Sequence, residues 1–309
     1  MVGKTAIGPR ALTVIVVVVG LALSAVSAAS GQPQRSSAQP QWIVFTADPP
    51  ALGVEQIFRM QSTGKGLKQL TRGQYPAQAP VFSPDGKRIA FARLGGGIFS
   101  MNLNGKGLRR LTTNGRDSYP AWSPDGRQIA FLRPTEKGWR VYVMSASGAG
   151  ERRLPQAPPA GRPSWTDHGL VIPTQGDLAR IDPRTGHVEK LFGALIDAST
   201  GMDGTSVSPD LSIVTFVGPR KPDTGDKECG ENIACARYAL YIQDLAKHKA
   251  PRILLKDAGP ASFSADGTSA TFVAKNRIVL WTVKSGKSST IRTGKVNPTT
   301  SSPPAFQPG

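Results

Sequence analysis

The segment Pro80-Val81-Phe82-Ser83-Pro84-Asp85-Gly86-Lys87-Arg88-Ile89-Ala90-Phe91 returns forty residues later as Pro120-Ala121-Trp122-Ser123-Pro124-Asp125-Gly126-Arg127-Gln128-Ile129-Ala130-Phe131. A self-match of that length at a fixed step marks a repeat protein. Each copy reads as a hairpin. Ser at the first turn position, Pro fixing φ at the second and Gly at the fourth are type I turn preferences, and the Asp can bond the local backbone. Apolar residues alternate on both sides of the turn, Val81 and Trp122 before it and Ile89 with Phe91 or Ile129 with Phe131 after it, so the flanks are strands.

Units of about 40 to 45 residues fit six times into a chain of 309 residues, and four strands per unit is the arithmetic of a propeller blade. The expected fold is therefore all-β: a six-bladed β-propeller of four-stranded antiparallel blades over residues 42–309. Its first unit opens on Trp42-Ile43-Val44-Phe45, which matches the second strand of the repeat and has no first strand before it. The missing strand reappears in Pro304-Ala305-Phe306-Gln307-Pro308, so a C-terminal strand is expected to complete the first blade and close the ring. Later copies are worn. Pro163 to Gly169 keeps the aromatic and the Gly but lacks Ser-Pro, and Leu211 stands where Gly should in Val207-Ser208-Pro209-Asp210, which predicts altered turn geometry there.

The Pro-x-aromatic-Ser-Pro-Asp-Gly-x-x-Ile-Ala-Phe pattern resembles the WD40-like repeat of TolB-type β-propellers, most specifically in the second and third units. The resemblance implies a six-bladed propeller among mostly extracytoplasmic binding proteins, whose name-giving member docks a peptidoglycan-associated lipoprotein. The α/β domain that precedes the propeller in that member has no counterpart here. Fold is thus better supported than partner.

The first 28 residues have the layout of a secretory signal: Lys4 and Arg10, an apolar run from Ala11 to about Val26, then small residues through Ala28. Export with cleavage after Ala28 is one expectation; an uncleaved membrane anchor over 11–28 is the other. Residues 29–41, mostly Ser, Gln, Pro and Ala, read as a flexible lead-in. Lys and Arg number 38 against 21 Asp and Glu, a formal charge of +17. Such a surplus attracts anionic partners. Lys65, Lys68, Lys87, Arg88, Lys106, Arg109, Arg110, Arg127, Arg152 and Arg153 recur with the repeat and are expected to cluster on the turn face and outer strands, where an anionic cell-wall polymer could meet them. The export signal argues against nucleic acid, and no pattern of stacking aromatics accompanies the charge.

Chemistry is then sought in the loops. In a blade the second-to-third-strand loop and the loop to the next blade share one face, and the Ser-Pro-Asp-Gly turns share the other. Tyr75, Arg116, Asp117, Tyr119 and Arg162 fall on the first face as candidate binding residues, Tyr and Arg being common interface anchors; simple packing beside Pro76 and Pro120 is the plainer alternative. A charged insertion between Gly218 and Tyr238, with Arg220, Lys221 and Lys227, rises from the same face. It holds Cys229 and Cys235, the only cysteines, which in an exported chain read as a disulfide.

Catalytic signals are weak. His168, His187 and His248 occupy unlike positions in their units, no Gly-x-Ser-x-Gly elbow is present, and Asp85, Asp125, Asp210 and Asp266 read as turn residues rather than Ca²⁺ ligands. No catalytic residue, metal or cofactor is assigned. The favoured reading is a monomeric, extracytoplasmic, non-enzymatic binding or scaffold propeller that engages an envelope protein or anionic polymer. Its rival is a propeller lyase, hydrolase or small-ligand binder working at the channel mouth.

Overall fold

The computed structural model describes residues 41–49, 53–154, 161–174, 178–192, 204–219, 238–245, 247, 250–294, 296–299 and 302–308. The expected leader over 1–28, nearly all of the lead-in, and the cysteine-bearing insertion lie outside them. Six antiparallel sheets account for every strand, and no helix occurs among the described residues. Each sheet is one blade, its strands taken in chain order from the innermost outward. Blade 2 consists of Ala77–Phe82, Arg88–Arg93, Gly97–Asn102 and Arg109–Arg110; blade 3 of Ser118–Trp122, Gln128–Thr135, Gly138–Ser145 and Arg152–Arg153. Blades 4, 5 and 6 begin at Ser164, Ser206 and Ser262 and end at Phe192, Lys256 and Ile291.

Blade 1 is assembled from both ends of the chain. Its strand Trp42–Asp48 pairs on one side with Gln56–Gln61 and on the other with two C-terminal pieces: Ala47 and Asp48 meet Pro298 and Asn297, while Ile43 and Val44 meet Phe306 and Ala305. The inner strand is therefore present but interrupted. Side chains seal the join. The hydroxyls of Ser302 and Thr46 share a hydrogen bond of 2.7 Å, Thr271 donates to the Pro304 carbonyl at 2.8 Å, and the Gln307 amide side chain donates to the Gly86 carbonyl at 3.1 Å. Neighbouring blades 6 and 2 are thereby tied to the closing segment.

Packing follows from the repeat. Six apolar clusters lie between successive blades, including one between blades 6 and 1 built from Ile278 and Ile291 against Ile43, Phe45, Phe58, Met60 and Phe306. The repeat's Ile-x-Phe strand supplies Phe45, Phe91 and Phe131, all fully buried. Each stacks on an aromatic of the next strand outward: Phe58 at 5.9 Å, Phe99 at 5.9 Å and Tyr142 at 5.7 Å between ring centres. Offset rings at such separations add to the burial of their area.

The Ser-Pro-Asp-Gly turns close as their residue types require. In blade 3 the Ser123 hydroxyl donates to Asp125 at 2.6 Å, Gly126 N–H donates to the Ser123 carbonyl at 2.9 Å, and Asp125 accepts from Arg127 N–H at 3.0 Å. Blade 5 keeps this arrangement despite Leu211. That residue adopts φ of 58°, the left-handed conformation Gly occupies elsewhere, while Ser208 still donates to Asp210 at 2.6 Å. The expected change of geometry is replaced by backbone strain, because the side-chain bonds of Ser208 and Asp210 hold the turn. Blade 4 is the blade that departs, with Thr166 and Gly169 paired across a two-residue turn of Asp167 and His168.

Candidate functional site

The six inner strands enclose a channel with a cavity of about 410 Å³. Toward the end that carries the Ser-Pro-Asp-Gly turns stand Pro84, Pro124, Asp167, Pro209, Ala265 and Pro308; toward the opposite end stand Ala79, Tyr119, Arg162, Thr205, Ala261 and Pro303. Two charged residues belong to this lining, Arg162 at the second end and Asp167 at the first.

Tyr119 and Arg162 occupy equivalent positions of successive inner strands, each immediately before the Pro that opens the repeat. The Arg162 guanidinium lies 4.5 Å from the Tyr119 ring centre, and the Trp139 ring meets Tyr119 edge-on at 6.3 Å. Tyr119 has φ of 53° at a break in register where Ser118 pairs with Leu132 and Ala121 with Ala130. Its counterpart Ala79 has φ of 51° at the same kind of bulge. Bulges re-aim side chains, and a bulky residue held left-handed stores strain of the kind found at functional sites.

Trp139 is the member that the sequence does not announce. Blade 3's second hairpin runs two residues per strand beyond blade 2's: Arg133 pairs with Arg140, and the pairing continues to Thr135 and Gly138, whereas blade 2 turns at Arg93 and Gly97. The extra height puts Trp139, 38 % exposed, beside the channel mouth. Its register counterpart in blade 5 is Tyr238, which pairs with Pro219 as Trp139 pairs with Pro134, but blades 2 and 6 turn before this position, so it gives no repeat signal along the chain; its one cue is a Trp beside Gly138 in a polar stretch.

The other expected residues separate. Tyr75 is exposed in the loop that enters blade 2, and Arg116 is exposed in the loop that enters blade 3. Asp117 is buried, its side chain wholly shielded, and its two oxygens accept from Arg133 at 2.6 and 2.7 Å. Glu151 reaches the same guanidinium at 2.5 Å. These bonds, those of Asp117 foremost, hold the Arg133 guanidinium above its ordinary value in spite of burial. Asp117 is thus engaged inside blade 3, where a neutral Asp could not match the fork. Arg220, Lys221, Lys227, Cys229 and Cys235 lie outside the described residues; the strands that bracket them, ending at Pro219 and resuming at Tyr238, are cross-strand partners at the Trp139 end of blade 5.

Some of the basic residues form a partial girdle along the outer strands of blades 1 to 3. The outermost strands of blades 1 to 3 are two-residue pieces, Lys68–Gln69, Arg109–Arg110 and Arg152–Arg153, and the Arg pairs are exposed. Short charged edges of this kind also prevent sheet-to-sheet association. Arg88 does not join the girdle: it lies on the second strand and donates to the Ser100 hydroxyl at 2.6 Å. His168 caps the inner hairpin of blade 4 and His187 sits in its outer turn, both exposed; His248 lies outside the described residues. Among the described residues no group of three or more His, Cys, Asp or Glu is arranged to hold a metal ion.

Comparison with known proteins agrees with this architecture. The family PD40, described as the TolB beta propeller domain, matches residues 26–169. No curated protein matches by sequence. Among solved structures, TolB from Acinetobacter baumannii superposes with a TM-score of 0.64 at 18% identity, covering 87% of this chain and 67% of that one. A chain of a nidogen/laminin complex gives 0.59 at 12% identity, covering 86% and 98%. A TolB described as putative, from Agrobacterium tumefaciens, gives 0.55 at 16% identity, covering 85% and 92%. At such identities the shared property is the fold.

Proposed function

We propose that this chain, whose repeats are of the TolB β-propeller type, is an exported, non-enzymatic binding module that receives an envelope protein at the Trp139 end of its channel. The observation that carries this reading is the stack of Trp139, Tyr119 and Arg162 at the channel rim, with Tyr119 held there by a left-handed bulge. Aromatic rings and a guanidinium, fixed in place and partly exposed, are the side chains that dominate protein interfaces. Behind them the channel wall is mostly Pro, Ala, Ser and Thr, which suits an inserted segment better than bond-breaking chemistry, since Arg162 and Asp167 stand at opposite ends. One of the proteins with this fold supports a protein partner by its description, a component of a nidogen/laminin complex. The apolar stretch after Lys4 and Arg10 supports an extracytoplasmic setting.

A photo-crosslinking residue placed at Trp139, compared with one at Lys87 on the opposite face, tests the reading in cells that express the full chain. The expected result is a discrete protein adduct from position 139, absent from position 87 and lost in a Tyr119→Ala, Arg162→Ala double variant. Equal adducts from both faces, or none from either, would overturn it. Retention on purified anionic wall polymer that disappears at high salt would transfer the function to the basic girdle instead.

A further inference from the structure

Blades 2 and 3 share the column of residues that, in blade 3, surrounds a buried ion pair. Arg93 and Arg133 both stand two residues after the Phe of Ile-Ala-Phe, and both guanidiniums lie over the paired aromatics: Arg133 is 5.5 Å from Phe131 and 4.4 Å from Tyr142, Arg93 5.9 Å from Phe91 and 5.2 Å from Phe99. Their acids are not shared. Ala77 stands directly across from Arg93 at the position Asp117 takes in blade 3, and Leu108 precedes Arg109–Arg110 where Glu151 precedes Arg152–Arg153. Arg93 consequently makes no ion pair among the described residues, and its buried Nε has no acceptor. Burial alone shifts this guanidinium, downward, with no carboxylate to offset it.

An Arg stacked on two rings is a pre-organised fork, and blade 3 shows what fits it in this frame. The surroundings suit a protein. Leu94, 61 % exposed, follows Arg93 and donates its N–H to the Pro76 carbonyl at 3.0 Å, which joins it to the loop that carries Tyr75, 55 % exposed. Large exposed apolar side chains in the segments next to a cation are wasted on a hydrophilic polyanion but shield a salt bridge from water at an interface.

We propose that Arg93 is a carboxylate-binding position, at which an Asp or Glu side chain of the docked protein supplies the charge that blade 2 lacks. The assignment rests on the binding reading above for the identity of its partner, but not for its chemistry. The probe is therefore sodium acetate, titrated into the full chain at constant ionic strength against sodium chloride and inorganic phosphate, with the Arg Nε–H resonances followed by NMR. Acetate is expected to shift the Arg93 signal saturably and to leave Arg133 in place. Ala77→Asp, which restores the blade 3 pair, should weaken the acetate response about tenfold or more and raise the urea midpoint; Arg93→Gln, which needs no core change, should abolish the response.

An unmoved Arg93 signal, a larger response to phosphate than to acetate, or an acetate response untouched in both variants would each overturn the assignment. Acetate binding with no adduct from position 139 would leave Arg93 as a carboxylate site and remove the mouth from the function. An adduct with a silent Arg93 would do the reverse.

Discussion

Blade 2 and blade 3 are built on nearly the same sentence of sequence, yet one is tall and internally neutralised while the other is short and carries a bare cation. Their lower halves coincide: the turn bonds of Ser83 and Ser123 to Asp85 and Asp125 are both 2.6 Å, and the stacked pairs Phe91–Phe99 and Phe131–Tyr142 differ by 0.2 Å. Their upper halves diverge within a few residues. Blade 3 adds Asp117, Glu151 and a longer hairpin; blade 2 has Ala77, Leu108 and the turn Leu94-Gly95-Gly96. The contrast teaches that the repeat keeps what makes a blade and frees the end away from the Ser-Pro-Asp-Gly turns. A guanidinium over two rings can be a brace or a receptor, and the residue across the strand decides which.

The largest expected effect separates these roles. Arg133→Ala leaves the shielded carboxylate of Asp117 without its partner and should cost about 3–5 kcal/mol of unfolding free energy. Arg93→Ala loses ring contacts and no ion pair, and should cost about 1 kcal/mol or less. Urea unfolding of both variants checks the difference; equal losses would mean that Arg93 is a brace after all.

Next in size are the turns, where the two blades should behave alike. Ser83→Ala and Ser123→Ala each remove a hydroxyl that donates to an Asp and accepts from a backbone N–H, an expected loss of about 1 kcal/mol each at neutral pH. These serine hydroxyls, with backbone N–H groups, hold Asp85 and Asp125 below the ordinary carboxylate value. A depressed carboxylate stabilises the fold above its unfolded value of about 4 and loses that contribution as pH falls through the folded value. The gap between the parent chain and each Ser→Ala variant should therefore narrow below about pH 4, and unequal gaps would show that the lower halves are less alike than their geometry.

The smallest effect extends the comparison to blade 5. Leu211→Gly removes the left-handed strain at a turn otherwise bonded like those of blades 2 and 3, at the expense of partly buried contacts with the cluster between blades 4 and 5. A net gain of about 0.5–1 kcal/mol is expected, readable as a rise in thermal midpoint; a loss would make packing, not φ, the reason for the Leu.

Much of this was legible in the residues because strand alternation and turn chemistry are local. Ser-Pro-Asp-Gly and Ile-Ala-Phe located hairpins and core faces, and the unmatched Trp42–Phe45 strand called for Phe306 across it, which the Ile43–Phe306 pair supplies. The outcome at Leu211 shows the limit of reading one turn position when two others hold the turn. Tyr119 and Arg162 could be placed on one rim by repeat position, but the contact of Tyr119 with Trp139 depends on hairpin height, which differs from blade to blade and is not set by the repeat residues. Asp117 looked like a surface anchor because its partner, Arg133, is sixteen residues away on the next strand. Comparing columns between units would have exposed it: Arg occurs in both, the acid in one.

The seam in blade 1 sets a timetable. Hydroxyls 256 positions apart, on Thr46 and Ser302, meet at the seam, and strand Trp42–Asp48 gains its inner neighbour only once the segment carrying Ala305 and Phe306 is present. Blades 2 to 6 can each zip locally, but the circle locks only when residues 297–306 have been made. Until then, the Phe45 face of Trp42–Asp48 and the facing Ile278 surface of blade 6 stay unmatched, and an unlatched intermediate of that kind is the species most exposed to aggregation and proteolysis.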